Sequence, residues 1–156
     1  MKKTLLALGC CSAILSSCTK VAEPNCEPVT ITAPASEVAT LQSYMVDRGI
    51  SASYDQRGFY YTISNPGSDI FPTACSTVKV AYALRLSNGT EVEAANGSQF
   101  NLGGLIAGWQ EGIPLIGEGG SIVLYLPPSL AYGSKASGKI PANSILVFYI
   151  DLQDVI

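Results

Sequence analysis

The chain has 156 residues, a formal net charge of −3, 47% hydrophobic and 13% charged residues, and no histidine. An acidic chain without a basic block excludes nucleic acid and anionic headgroups as partners. The absence of histidine excludes Ser-His-Asp, Cys-His and His-metal sites.

Met1-Lys2-Lys3 is a basic start, Thr4–Leu15 is a short apolar run, and Leu15-Ser16-Ser17-Cys18 leads small residues into a cysteine. That run is too short for a permanent span, which needs about 20 residues. Residues 1–17 therefore read as a signal peptide that is removed. LSSC resembles the lipobox of bacterial lipoproteins, which implies acylation of Cys18 and a lipid anchor in the cell envelope. Cys10 and Cys11 leave with the signal. Cys26 and Cys75 remain, either as a disulfide or as two thiols. A bridge between them would close a loop of about 50 residues, worth about 4 kcal/mol by chain entropy.

Residues 18–35 contain Pro24, Pro28 and Pro34 and read as a flexible tether after the lipidated cysteine. Residues 36–57 form a leading helix and hairpin arm. Ser36 is the expected N-cap of a helix over Glu37–Arg48, with Gly49 as C′. Val38, Leu41, Met45 and Val46 form one apolar stripe for packing or for a partner helix. Asp55-Gln56-Arg57-Gly58 turns the chain into a strand at Phe59–Ser64.

Ser76–Leu86 alternates, with Val78, Val80, Tyr82, Leu84 and Leu86 on one face, as a half-buried antiparallel strand does. Asn88-Gly89 and Asn96-Gly97 both predict hairpin turns. A short helix opens near Leu105 or Ile106 and is limited by Pro114. Gly117–Gly120 turns the chain into Ile122–Leu126, a strand apolar on both faces. Pro127–Asn143 is a long loop, and loops of that length in a small domain commonly carry function. Ser144–Gln153 is the last strand. These elements make an α+β fold, an antiparallel β-sheet with a short central helix.

No phosphate-binding glycine motif is present. Glu91, Glu93, Glu111 and Glu118 could supply paired carboxylates, but they lie at turns and edges and read as solvated surface. Trp109 follows Gly108, and glycine there lets the backbone approach a neighbour closely. On spacing alone its indole is either core or the wall of a ligand site.

Val80-Ala81-Tyr82, FNLGGLIAGW (Phe100–Trp109), IVLYLPPSLAYG (Ile122–Gly133) and Ile140–Leu152 together resemble the FKBP-type peptidyl-prolyl cis-trans isomerases, in particular exported bacterial members with a leading helix. The resemblance covers residues 58–156. It implies a sheet wrapped around a short helix, no cofactor, and an apolar pocket that receives proline from unfolded or exported polypeptides. Within it, Trp109 is the implied floor and Tyr82, Leu105, Ile106 and Phe148 the walls. Tyr132 lies at the rim, with Ile140 from the flap and Phe100 beside the pocket. The N–H of Ile106 and the hydroxyl of Tyr132 would hold substrate carbonyls. Where the family commonly has Phe-Asp, this chain has Val92-Glu93, so Glu93 is the implied partner of Tyr82 and Val92 replaces an aromatic wall. The alternative to an isomerase is a catalytically weak module that binds proline-containing segments as a chaperone.

Overall fold

The computed structural model describes residues 27–156, so the expected signal peptide, Cys18, the first part of the tether and Cys26 lie outside the described residues. The elements are helix α1 (Ala35–Asp47), strands β1 (Ser53–Asp55), β2 (Phe59–Asn65), β3 (Thr77–Leu86) and β4 (Glu91–Asn101), helix α2 (Ala107–Gly112), and strands β5 (Ser121–Leu126) and β6 (Leu146–Val155). Single 3₁₀ turns occupy residues 102–104, 113–115 and 128–130. The strands form one six-stranded sheet in the order β1-β2-β5-β6-β3-β4, and every neighbouring pair is antiparallel. This is the α+β architecture expected from the sequence. Among the described residues no helix is long and apolar enough to cross a membrane.

At β5 the sheet is covered on both faces, which explains why this strand carries no polar face. Ile122, Leu124 and Leu126 join Trp109, Phe148, Ile150 and Leu152 in the main core under α2. The alternate residues Val123 and Tyr125 join Val147 in a second cluster with Leu41 and Met45 of α1. A strand buried on both faces loses the period-two signal and reads as a continuous apolar run.

Helix α1 departs from expectation at its start. Its first backbone bonds run from the N–H groups of Glu37 and Val38 to the carbonyl of Pro34, so Pro34 is the cap position and Ser36 lies inside the helix. Among the described residues no side chain caps this end. The other end behaves as predicted: Gly49 has φ +62°, its N–H donates to Val46 O, and the N–H of Ile50 donates to Met45 O. That pair of bonds is a Schellman cap, whose left-handed residue favours glycine. Val46 is 72% exposed rather than part of the buried stripe. Eight residues beyond Val38 is about 80° further round a helix of 3.6 residues per turn, which carries Val46 off the stripe, while the half-buried Tyr44 packs against Leu41 and Met45 from the other side.

Asn88-Gly89 is the β3–β4 turn, with Gly89 at φ +88°. Asn96-Gly97 is not a hairpin. It lies within β4 as a bulge: Val80 pairs with Ser98 and Tyr82 with Ala95, so two β4 residues oppose one on β3. Gly97 takes φ +75°, the left-handed conformation that glycine adopts at least cost. The same dipeptide serves a turn or a bulge because both need that conformation.

Residues just before α1 are fastened to the sheet and to α2. The N–H of Ala33 donates to Arg57 O at 2.8 Å, and the N–H of Ile31 donates to Glu111 Oε1 at 3.0 Å. Glu111, expected on the surface, is 2% exposed. Cys75 is disulfide-bonded, and Cys26, which one of the two sequence readings pairs with it, is outside the described residues.

Candidate functional site

Helix α2 is short and carries Trp109 to the cavity. The chain passes through the 102–104 turn, and Ile106 enters the helix in extended conformation at φ −59° and ψ 148°. Its carbonyl accepts the N–H groups of Trp109 and Gln110. Its own N–H has no hydrogen bond among the described residues. The Gln110 side chain folds back and donates to Leu105 O at 2.7 Å and Gly103 O at 3.2 Å, locking the approach to the helix. Pro114 is the second residue of the 3₁₀ turn that follows, so it ends the helix as predicted.

Gly108 and Gly112 sit one turn apart against β5. A Cβ on Gly108 would lie 2.4 Å from a Leu126 methyl, and one on Gly112 would lie 2.6 Å from a Leu124 methyl. The neighbour that Gly108 admits is therefore β5, and the close contact fixes how deep Trp109 sits.

The indole is 4% exposed but borders a cavity of about 110 Å³ lined by Tyr82, Leu84, Glu93, Phe100, Leu105, Ile106, Trp109, Tyr132 and Phe148. Three rings stand edge-on to the indole: Tyr82 at 5.2 Å and 85°, Phe148 at 5.4 Å and 84°, and Phe100 at 6.0 Å and 87°. Edge-to-face packing suits the ring quadrupoles and holds the walls upright around the floor. Trp109 Nε1 is buried without a partner among the described residues.

The β4 bulge brings Glu93 and Phe100 to the same cavity. They are seven residues apart, and strict alternation would put them on opposite faces. The extra residue at 96–97 restores both to the pocket side. The Tyr82 hydroxyl then donates to Glu93 Oε1 at 2.6 Å. Burial, together with the Glu93 carboxylate, pushes the Tyr82 phenol up to about 12. Tyr132, at the rim and 41% exposed, is also raised, first by burial and then by the charge of Glu93. Both phenols are therefore neutral hydroxyls at neutral pH.

Of the residues singled out in the sequence, eight line this cavity: Tyr82, Glu93, Phe100, Leu105, Ile106, Trp109, Tyr132 and Phe148. Val92 and Ile140 do not. Ile140 is buried in the main core, and the half-buried Val92 packs against that core. Leu84 lines the cavity without having been singled out; it shares the Val78–Leu86 face with Tyr82, and that alternation was the available signal. The site is a small aromatic box with hydroxyls at its edge, suited to a compact apolar ring flanked by peptide groups.

A family model described as FKBP-type peptidyl-prolyl cis-trans isomerase matches residues 68–153. The chain belongs to that family. It is 37% identical over 101 residues to the FKBP-type peptidyl-prolyl cis-trans isomerase FkpA of Aeromonas hydrophila, covering 62% of this chain and 38% of the relative. It is 36% identical over 118 residues to FkpA of Escherichia coli, covering 73% of this chain and 43% of the relative. The chain thus spans less than half the length of these two relatives. The crystal structure of Escherichia coli FkpA superposes with a TM-score of 0.70 at 34% identity, over 78% of this chain and 60% of that one. A peptidyl-prolyl cis-trans isomerase from Pseudomonas syringae gives a TM-score of 0.68 at 26% identity, over 79% of this chain and 96% of that one.

Proposed function

We propose that this protein is a peptidyl-prolyl cis-trans isomerase that binds the proline ring of a polypeptide over Trp109. The observation that carries the proposal is the aromatic box itself. Three rings stand around one indole beside a cavity of pyrrolidine size, and both lining phenols are neutral.

The X–Pro bond resists rotation by about 18–20 kcal/mol because rotation breaks amide resonance. The twisted amide is less charge-separated than the planar one. An apolar cavity that replaces water around it therefore favours the twisted form relative to the planar form. Leu84, Leu105, Phe100 and Phe148 would exclude water. The N–H of Ile106 and the hydroxyl of Tyr132 would hold the flanking carbonyls while the prolyl side turns. Tyr82, tied to Glu93, serves as a fixed wall. No proton changes hands.

The substrates on this reading are proline-containing exported polypeptides, whose uncatalysed isomerisation takes tens to hundreds of seconds. Export and anchoring rest on the sequence of residues 1–18. A removed signal, acylated Cys18 and a tether to about residue 35 would place the domain in the bacterial cell envelope. Cys18→Ser is expected to release the protein from membranes, and unchanged membrane association would refute the anchor.

The activity is tested with purified full-length protein and a short X–Pro peptide, following cis-to-trans exchange. Wild type is expected to accelerate exchange, and Trp109→Ala to return it to the uncatalysed rate. An uncatalysed rate with wild type, alongside a Trp109 fluorescence change on adding peptide, would make the protein a binding module instead.

A further inference from the structure

The residues ahead of α1 touch the parts of the molecule that carry the pocket. Ile31 is bonded to Glu111, two residues beyond Trp109 on α2. Ala33 is buried against Gly58, where a Cβ would lie 2.8 Å from the Ala33 methyl, and is bonded to Arg57. Glu37, in the first turn of α1, accepts the N–H of Ser129 through Oε2 at 2.8 Å. Ser129 belongs to the 128–130 turn, three residues before Tyr132. One short stretch, residues 31–37, is thus pinned to the floor helix and to the segment leading to the rim. It lies outside the residues matched by the family model.

Glu111 makes this more than packing. Its carboxyl is almost wholly buried, and Oε2 has no partner among the described residues. The charged groups facing it are Arg57 and Asp55 of the β1–β2 turn. Arg57 is already committed to Asp55 through two bonds of 2.8 Å. Among the described residues the Glu111 carboxyl accepts one hydrogen bond, from the N–H of Ile31. Burying a carboxyl is costly, and here its direct return is a hold on the segment before α1.

We propose that Glu111 and Glu37 are positioning residues, fastening residues 31–37 as a strap that sets the Trp109 floor and the Tyr132 rim against each other. The proposal rests on the pocket being the prolyl site. The strap touches no substrate; it acts through α2 and the 128–130 turn.

The test uses full-length protein carrying Glu111→Ala, Glu111→Gln, Ile31→Pro, Glu37→Ala, and the pair Ile31→Pro with Glu111→Ala. Two quantities are read: kcat/KM on an X–Pro peptide, and acrylamide quenching of Trp109, the one tryptophan of the chain. Glu111→Ala and Ile31→Pro should each lower kcat/KM about tenfold, the scale of one hydrogen bond to a charged group, and should raise quenching. Glu37→Ala should lower kcat/KM in the same way. The double variant should be no worse than Glu111→Ala alone, because both changes remove one bond. Glu111→Gln keeps an acceptor oxygen and should recover most of the rate. Wild-type rate and quenching in a folded Glu111→Ala protein would overturn the proposal, as would additive losses in the double variant. If Glu111→Ala does not fold, Ile31→Pro decides, since Ile31 is 46% exposed and its change removes the donor without opening the core. If wild type shows no isomerisation, the prolyl reading fails, and quenching alone still decides whether the strap sets the floor.

Discussion

Gly108→Ala tests whether the approach of α2 to β5 sets the depth of the pocket. The added methyl would stand 2.4 and 2.6 Å from the two Leu126 methyls and 3.0 Å from Leu126 Cγ. Leu126 is fully buried in the main core, so it has no solvent to swing into. Either it leaves its rotamer or the helix lifts. Forcing a methyl into a packed core costs about 1–3 kcal/mol. At about 4 °C per kcal/mol for a domain of this size, Tm falls by about 4–12 °C. A lifted helix also carries Trp109 away from the rings of Tyr82 and Phe148, so kcat/KM on an X–Pro peptide should drop further than the loss of stability explains. The assays are thermal unfolding by circular dichroism and peptide exchange at a temperature where both proteins are folded. A variant with wild-type Tm and wild-type kcat/KM would refute the claim that this contact positions the floor.

Gly97→Ala puts a side chain at φ +75° in the β4 bulge and is expected to cost about 1–2 kcal/mol, read by denaturant unfolding; it should also lower activity, because the bulge brings Glu93 to the pocket side. An unchanged midpoint would show that the bulge does not depend on glycine. For Tyr82, the ultraviolet difference between wild type and Tyr82→Phe should show one phenol ionising near 12, and a midpoint near 10 would contradict the raising of this phenol by desolvation and by its bond to Glu93. Because that phenol is raised on folding, its contribution to stability is complete below its ordinary pKa near 10 and is lost as pH rises toward 12. Burial also raises Glu111, so the folded protein holds that proton above the ordinary carboxylate range and stability falls as pH rises through this window. Glu111→Gln should therefore have a higher Tm than wild type at pH 7 and approach it at pH 4; an equal difference at both pH values would refute the assignment.

Much of the fold was legible because its signals are local. The alternation from Val78 to Leu86 marked β3 and the face that holds Tyr82, and Gly49 ended α1 through a cap that the sequence states directly. The box residues were legible through the family resemblance, not through spacing, which by itself favoured Trp109 as core. What escaped the sequence depends on contacts between distant segments. Glu111 read as surface because its acceptor role requires Ile31, eighty residues away, to be laid against α2. Asn96-Gly97 read as a turn because dipeptide chemistry specifies a left-handed glycine and not what the chain does around it. Ser36 lost its capping role to a helix that begins at the carbonyl of Pro34. Val92 and Ile140 were carried over from the family pattern, but here Ile140 packs in the core and Val92 against it.

The central claim is that a dry aromatic box accelerates rotation about X–Pro without proton transfer. Its most direct test is kcat/KM for a proline peptide between pH 7 and 9, in light and in heavy water. The lining phenols do not ionise in that range, so a flat profile and a solvent isotope effect near unity are predicted. A bell-shaped profile or a large isotope effect would show that a titrating group does the chemistry and would contradict the account.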